Sequence, residues 1–371
     1  MSAERVEPAG AAIRPSAAAR AVSAVWWVVK VLVALFFFVG ALQLMKTGAA
    51  ALDILNQGGL LVHNAGATLG LGWVGALFVL SGSPMAATAL TLVAAHSITE
   101  IEGFTMLTGS RLGAAFVVLV VAVIYALRGG EGERLKPVST AIMALSTTAV
   151  IYIPAAFIGF TILRLPAFHS MNLQFPNQFA DLIDLVYGGI LDRVEAWPAW
   201  IVFLGGLGVL LLSFKLIDAV MPELNEETLG ERRVQWLRRK WPMFALGSLV
   251  ALITMSVSVA LTVLVPLVAK KYVKREDIIP YIMGANITTL GDTMLAAFAL
   301  HSAAAVRIVL AEVMATSVLS VLVLAFFYPQ LRRGIFTIQR TILKSKPRLA
   351  AFTVGLFLVP VLIVVFANLI A

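Results

Sequence analysis

Two short stretches of the chain gather hydroxyls, an amide and a carboxylate at spacings that suit ion chemistry. The first runs Thr254-Met-Ser-Val-Ser-Val-Ala-Leu-Thr262, the second Gly284-Ala-Asn-Ile-Thr-Thr-Leu-Gly-Asp292. Ser256 and Ser258 offer hydroxyl donors to an oxyanion, and a turn at that point exposes backbone N–H groups toward the same place, as half-helix N-termini do. Asn286, Thr288 and Thr289 offer neutral oxygens that suit a hard cation such as sodium, aided by free carbonyls at a helix break. Asn286 is also a candidate contact for the anion. Asp292 completes a cation site or carries a proton, because a carboxylate at bilayer depth is costly and faces a bundle interior with a partner. Arg111, in Gly109-Ser-Arg-Leu-Gly-Ala-Ala115, is equally out of place. Its planar fork either holds an oxyanion bidentately or pairs with Asp292 or Glu312. Glu312 lies deep in a later apolar run and is the candidate coupling residue. The structural alternative for the serines is back-bonding to their own helix, and for the glycines close helix packing.

Such polar, glycine-bearing stretches need an enclosing scaffold, and the composition says which kind. Hydrophobic residues make up 60% and charged residues 13% of the chain, with a mean hydropathy of +0.95. A soluble domain carries about 25% charged residues, so this is an integral membrane protein. In the bilayer an unpaired backbone amide costs several kcal/mol, so irregular chain is tolerated only where it lines a protein-enclosed cavity. The net charge of +8 belongs to short loops between apolar runs rather than to a nucleic-acid face. There is no cysteine, which excludes disulfides and thiolate chemistry. His63, His96, His169 and His301 are scattered without metal-ligand spacing. No Ser/His/Asp set, paired catalytic carboxylates or phosphate-cradling lysine loop is present, so the chain reads as a non-enzyme without an organic cofactor.

Apolar runs at 24–45, 104–127, 138–163, 197–221, 279–300, 304–328 and 349–370 are each near the ~20 residues a bilayer requires. The stretch 242–269 is flanked on both sides by cations, from Arg232 to Lys240 and from Lys270 to Arg275, and both flanks belong on the cytoplasmic side. It is therefore expected to be re-entrant, turning at Ser256 and Ser258. The stretch 58–98 has acidic flanks (Asp53, Glu100, Glu102) and is expected to enter and leave from outside, turning at Ser81-Gly-Ser-Pro84. Glu100 and Glu102 read as solvated loop charges. With these assignments 21 of the 28 Lys and Arg residues fall inside, and the N-terminus is cytoplasmic. Turns and glycine motifs recur at offsets of 173 to 175, and the second unit starts from the opposite side, so the repeat is inverted. Gly66-Ala-Thr-Leu-Gly70 and Gly205-Gly-Leu-Gly208 lack a strand-to-helix context and read as packing glycines rather than a nucleotide loop.

The chain resembles the type II sodium–phosphate cotransporter family, whose members carry two inverted repeats, each with a Gln-Ser-Ser-Ser turn and a Gly-Ala-Asn-Ile-Gly-Thr-Thr helix start. Met255-Ser-Val-Ser258 stands at the first motif, Thr262 and Pro266 stand where the family has a hydroxyl and a proline, and Ile279-Pro-Tyr-Ile-Met-Gly-Ala-Asn-Ile-Thr-Thr289 matches the second. In the first half the turn is Gly82-Ser-Pro-Met85, which keeps Ser83, and the motif asparagine is replaced by Arg111. The resemblance implies an all-α inverted-repeat secondary transporter with two re-entrant helical hairpins. It implies import of inorganic phosphate coupled to sodium across the cell membrane, with the bilayer, phosphate and sodium as partners and self-association left open. The candidate anion contacts are Ser83, Ser256, Ser258 and Asn286 at the motif positions together with Arg111, which departs from the motif; the candidate sodium contacts are Thr262, Asn286, Thr288 and Thr289 together with Asp292, singled out by its depth. Two alternatives stand beside it: the same scaffold carrying another anion or an organic phosphate, with proton coupling through Asp292 or Glu312, and a non-transporting membrane partner protein. The expected organisation is a cytoplasmic tail (1–23), repeat one (24–163, hairpin 58–98), an extracytoplasmic loop (164–196), repeat two (197–328, hairpin 242–269), a basic cytoplasmic loop (329–348) and a C-terminal transmembrane helix (349–371).

Overall fold

A computed structural model describes residues 17–51, 64–128, 135–171, 177–220, 239–256 and 273–370, together with Ala260, Leu261, Leu264 and Val268. Every regular element among them is helical. In chain order these are α1 (Ala17–Ala50), α2 (Ala65–Val79), α3 (Gly82–Ala94), α4 (Glu100–Ala114), α5 (Phe116–Arg128), α6 (Leu135–Leu163), the single turn α7 (Pro166–His169), α8 (Asn177–Val194) and α9 (Ala199–Val220). There follow α10 (Lys240–Thr254), α11 (Ile278–Thr288), α12 (Leu290–Ala299), α13 (Ala303–Leu322), a π-helical turn (Val323–Phe327), α14 (Tyr328–Leu343) and α15 (Lys346–Ile370). Among the described residues six runs are long and apolar enough to cross a bilayer: Val25–Ala50, Glu100–Ile124, Lys136–Leu163, Ala199–Ala219, Ala303–Leu343 and Lys346–Ile370. The chain is an α-helical, multi-pass membrane protein.

Small residues set how the helices approach one another. α2 packs on α4, and α10 packs on α11, through glycines whose missing Cβ lets one backbone rest on the next. A Cβ on Gly72 would strike the carbonyl of Met106, and one on Gly109 that of Leu69. In the second pair, Gly247 faces the carbonyl of Tyr281 and Gly284 that of Phe244. Each residue of the second set follows its counterpart by 175 positions, so the two contacts share one register. The turn after each first arm matches as well: Leu80 (φ 55, ψ 27) and Met255 (φ 46, ψ 27) both sit in the left-handed region. Ser81 then opens α3, and the carbonyl of Ser256 accepts from the Ala260 amide at 3.0 Å, as an N-cap carbonyl does. At 15 and 13 residues, α2 and α3 are about 22 and 20 Å long, short of a ~30 Å hydrocarbon core.

Both glycine-motif helices are interrupted just past the motif. α4 gives way to α5 at Ala115 (φ −61, ψ −18), and α11 to α12 at Thr289 (φ −68, ψ −13). The tightened turn at these residues is of the kind that marks functional hinges. The apolar run 279–300, expected as a continuous span, is thus two short helices. The run 104–127 starts earlier, at Glu100, and is interrupted at Ala115. The break at Thr289 falls where the hydroxyl-rich motif suggested one, while at Ala115 the apolar run carries across the break and hides it.

Two ends of the molecule collect the loops. At one, the Lys240 ammonium donates to the carbonyl of Leu324 (2.7 Å), while Tyr328 donates to the Glu276 carbonyl (3.0 Å) and Arg332 pairs with the Glu276 carboxylate. Lys240 at the start of α10 and Glu276 just before α11 therefore both reach the junction of α13 and α14. At the other, Ser97 donates to Ala49 (3.2 Å), and Gln43 of α1 donates to the last residue of α12, Ala299 (2.9 Å). The connections expected as loops carry helices: α14 lies in 329–348, with Leu331 and Ile335 buried and its arginines exposed, and α7 and α8 lie in 164–196. An amphipathic i, i+4 pattern in a charged stretch is enough to make such a helix. α15 packs along α2, with Val364 and Pro360 against Gly70, Ala367 against Gly66, and Asn64 donating to the Ala367 carbonyl (2.7 Å).

Candidate functional site

The two interrupted helices, with α6 and α13, bring their polar side chains into the buried middle of the bundle. Arg111, at the end of α4, is 2% exposed; its Nη2 donates to the Thr293 hydroxyl and lies 3.6 Å from Oδ1 of Asp292. Thr293 in turn donates to Asp292 Oδ1 at 2.8 Å. A salt bridge across the break is thereby built from α4 and α12. Of the two readings open for Arg111, this conformation displays the internal ion pair. Arg111 Nε and Asp292 Oδ2 have no partner among the described residues. Leaving a charged group half-satisfied at that depth is costly, which marks the pair as more than packing.

Glu312, on α13, is fully buried. Its Oε2 meets the Thr108 hydroxyl of α4 at 3.0 Å, while Oε1 has no partner among the described residues. Asn286 is buried on α11; its side-chain amide donates to the Thr148 hydroxyl of α6 at 3.1 Å, and its backbone carbonyl accepts from the Tyr152 hydroxyl at 2.7 Å. Thr108 and Arg111 lie one turn apart on α4, which brings Glu312 and the ion pair into one region. Sequence reasoning missed Thr108, Thr148, Tyr152 and Thr293. They are ordinary helix residues until the fold aims them at a charge.

The remaining candidates divide. Thr289 is buried at the break and its hydroxyl donates to the Asn286 carbonyl at 3.3 Å, beside the cluster. Thr288 faces the other way, donating to the Ser248 carbonyl of α10 at 2.8 Å, so it ties the helix pair together. Ser83 is buried in the first turn of α3, whose preceding Gly82 rests on the Ser110 carbonyl next to Arg111. Ser256 follows the left-handed Met255, and a cavity of about 190 Å³ between α1, α9 and α12 is lined by both Met255 and Asp292. Ser258 and Thr262 lie outside the described residues.

The expectation for Glu100 and Glu102 is corrected. Glu102 is buried and forms a capping box with Thr99, and Glu100 pairs with Arg307 of α13. A helix start at residue 100 consumes both carboxylates, where a loop would have left them to water.

Residues 209–328 match the family described as Na+/Pi-cotransporter. That match covers Ser256, Asn286, Thr288, Thr289, Asp292 and Glu312. No curated protein and no solved structure matches the chain significantly.

Proposed function

We propose that this member of the Na+/Pi-cotransporter family is a secondary transporter that imports inorganic phosphate with sodium across the cell membrane, its N-terminus cytoplasmic. In this reading residues 58–98 and 242–269 are re-entrant hairpins of two inverted repeats. The shared register of the α2–α4 and α10–α11 contacts, the short α2 and α3, and the meeting of Lys240 and Glu276, on either side of 242–269, at the α13–α14 junction support it. Such repeats with broken helices at mid-depth are a recurrent basis for alternating access.

One observation carries the mechanism: the buried Arg111 guanidinium lies 3.6 Å from the Asp292 carboxylate, and in this proposal the first serves the anion and the second sodium. Sodium arriving at the Asp292 carboxylate, with the Thr289 and Asn286 oxygens near it, competes with the guanidinium for the same oxygens. Once released, Arg111 presents its planar fork to a phosphate oxygen pair, with Ser83 beside it on α3 and Ser256, Ser258 and Asn286 contributed by the second repeat. Neither ion alone satisfies both charges, so the two travel together. Sodium-dependent uptake of radiolabelled phosphate into proteoliposomes tests this: uptake is expected in a sodium gradient, and equal uptake in choline buffer rejects the coupling.

A second reading, proton coupling with phosphate or another anion, is favoured by Glu312, whose Oε1 faces no partner among the described residues while Oε2 meets a hydroxyl. Glu312→Gln distinguishes the two. It leaves a sodium-driven transporter working and abolishes uptake driven by a proton gradient.

A further inference from the structure

The end of the molecule that gathers Ala49, Ser97 and Ala299 also holds a cavity of about 490 Å³. Its walls bring together four nitrogen-bearing side chains from four places in the chain: Lys46 of α1, His96 after α3, His301 after α12 and Arg307 of α13. Glu100 is its one carboxylate and is engaged by Arg307. Among the lining residues the formal charges are Lys46 and Arg307 against Glu100, with Asp184 of α8 near Lys46 outside the lining. Each neutral imidazole adds an N–H donor. The rest of the lining is apolar or small, including Val93, Ile98, Leu300 and Ala304.

The two histidines occupy matched local settings. Each ends a helix in the left-handed region, His96 at φ 59 and His301 at φ 49, and each precedes a serine. His96 donates its amide to Val93 and His301 to Phe298, both at 3.0 Å. Non-glycine residues seldom take such a conformation and, where they do, ligand clamps are among the usual places. The two helices that begin at this cavity, α4 at Glu100 and α13 at Ala303, continue inward to Thr108, Arg111 and Glu312. From Glu100 to Thr108 is about 12 Å along the helix, and from Arg307 to Glu312 about 7.5 Å.

We propose that this cavity is an antechamber that captures inorganic phosphate from solution before it reaches the central cluster, with Lys46, His96 and His301 as its contacts. The proposal rests on the transport reading for its purpose, and on the cavity's own charge and donors for its ligand. At about 490 Å³ the chamber exceeds a single phosphate, so it raises the local anion concentration instead of fixing one pose. Glu100 sets its strength by holding Arg307 out of play.

The absence of cysteine makes the test direct. In the full chain, Ala304→Cys places a thiol on the cavity wall, and Ser170→Cys supplies an exposed control. The probes are an anionic and a cationic methanethiosulfonate, with inorganic phosphate or chloride at matched ionic strength. Relative to the control, the anionic reagent is expected to win at Ala304→Cys by about tenfold. Phosphate, and not chloride, slows the reaction. Adding Lys46→Gln, His96→Asn and His301→Asn removes both effects; asparagine is used because it tolerates the left-handed backbone. Adding Glu100→Gln, which frees Arg307, increases both. Reagent rates that ignore these changes, or protection by chloride equal to that by phosphate, overturn the antechamber. Absence of sodium-dependent uptake with protection intact would reject the transport reading and leave the antechamber standing.

Discussion

α4 and α11 are the same backbone device carrying different chemistry. In each, a glycine, Gly109 or Gly284, rests on a carbonyl of an earlier helix, α2 or α10, and the helix breaks further on at Ala115 or Thr289. Two residues past the glycine the halves part. The first presents Arg111, a fixed charge bound to Asp292 and Thr293; the second presents Asn286, a neutral amide bound to Thr148. Architecture here is held by backbone contacts that tolerate no side chain, so it outlasts changes in the polar residues. A charge in one half changes what the other must supply, and Asp292 is the residue that answers Arg111.

The comparison breaks most severely at the glycines. Gly109→Leu and Gly284→Leu would each force a side chain into a neighbouring backbone, and both are expected to abolish monodisperse protein by size-exclusion chromatography. Gly208→Leu, whose Cβ meets nothing, is expected to behave as wild type. Tolerance at one motif glycine and not the other would show that the halves are not equivalent.

The charge difference comes next. Arg111→Met strands a buried carboxylate and is expected to lower stability by about 3–5 kcal/mol, while Asn286→Ala should cost about 1–2 kcal/mol. The double variant Arg111→Met/Asp292→Asn, which leaves neither charge alone, should recover much of the first loss in detergent thermal melts. Additive losses would mean the pair is not coupled. Asp292→Asn alone is expected to assemble in the membrane and to lose ion-dependent uptake.

Smaller effects sharpen the map of the neutral half. Tyr152→Phe removes one buried hydrogen bond to the Asn286 carbonyl, about 1 kcal/mol. Thr288→Ala should be smaller still in melts and leave the sodium dependence of uptake in place, since its hydroxyl serves Ser248. Loss of sodium dependence there would restore Thr288 to the cation site.

Much of this was legible in the sequence because membrane depth restricts what polar residues may do. Arg111, Asp292 and Glu312 announce themselves in apolar surroundings, and the 175-residue spacing of the glycines can be read directly. A break beside Asn286, Thr288 and Thr289 was expected from the motif there, whereas the one at Ala115 was not legible, since alanine carries no breaker signal. Nor was the gathering of His96 and His301, 205 positions apart, which only the packing of α1, α3, α12 and α13 brings into one cavity. Glu100 was misread for the same reason: its partner Arg307 lies on another helix.

The account turns on polar chain that dips into the membrane and comes back. Single cysteines in place of Arg239 and Lys274, both exposed and on either side of the second hairpin, can be labelled by a membrane-impermeant maleimide in oriented vesicles. Labelling of both from the same face is the predicted result; labelling from opposite faces would make the segment a single crossing and contradict the paired hairpins on which the site depends.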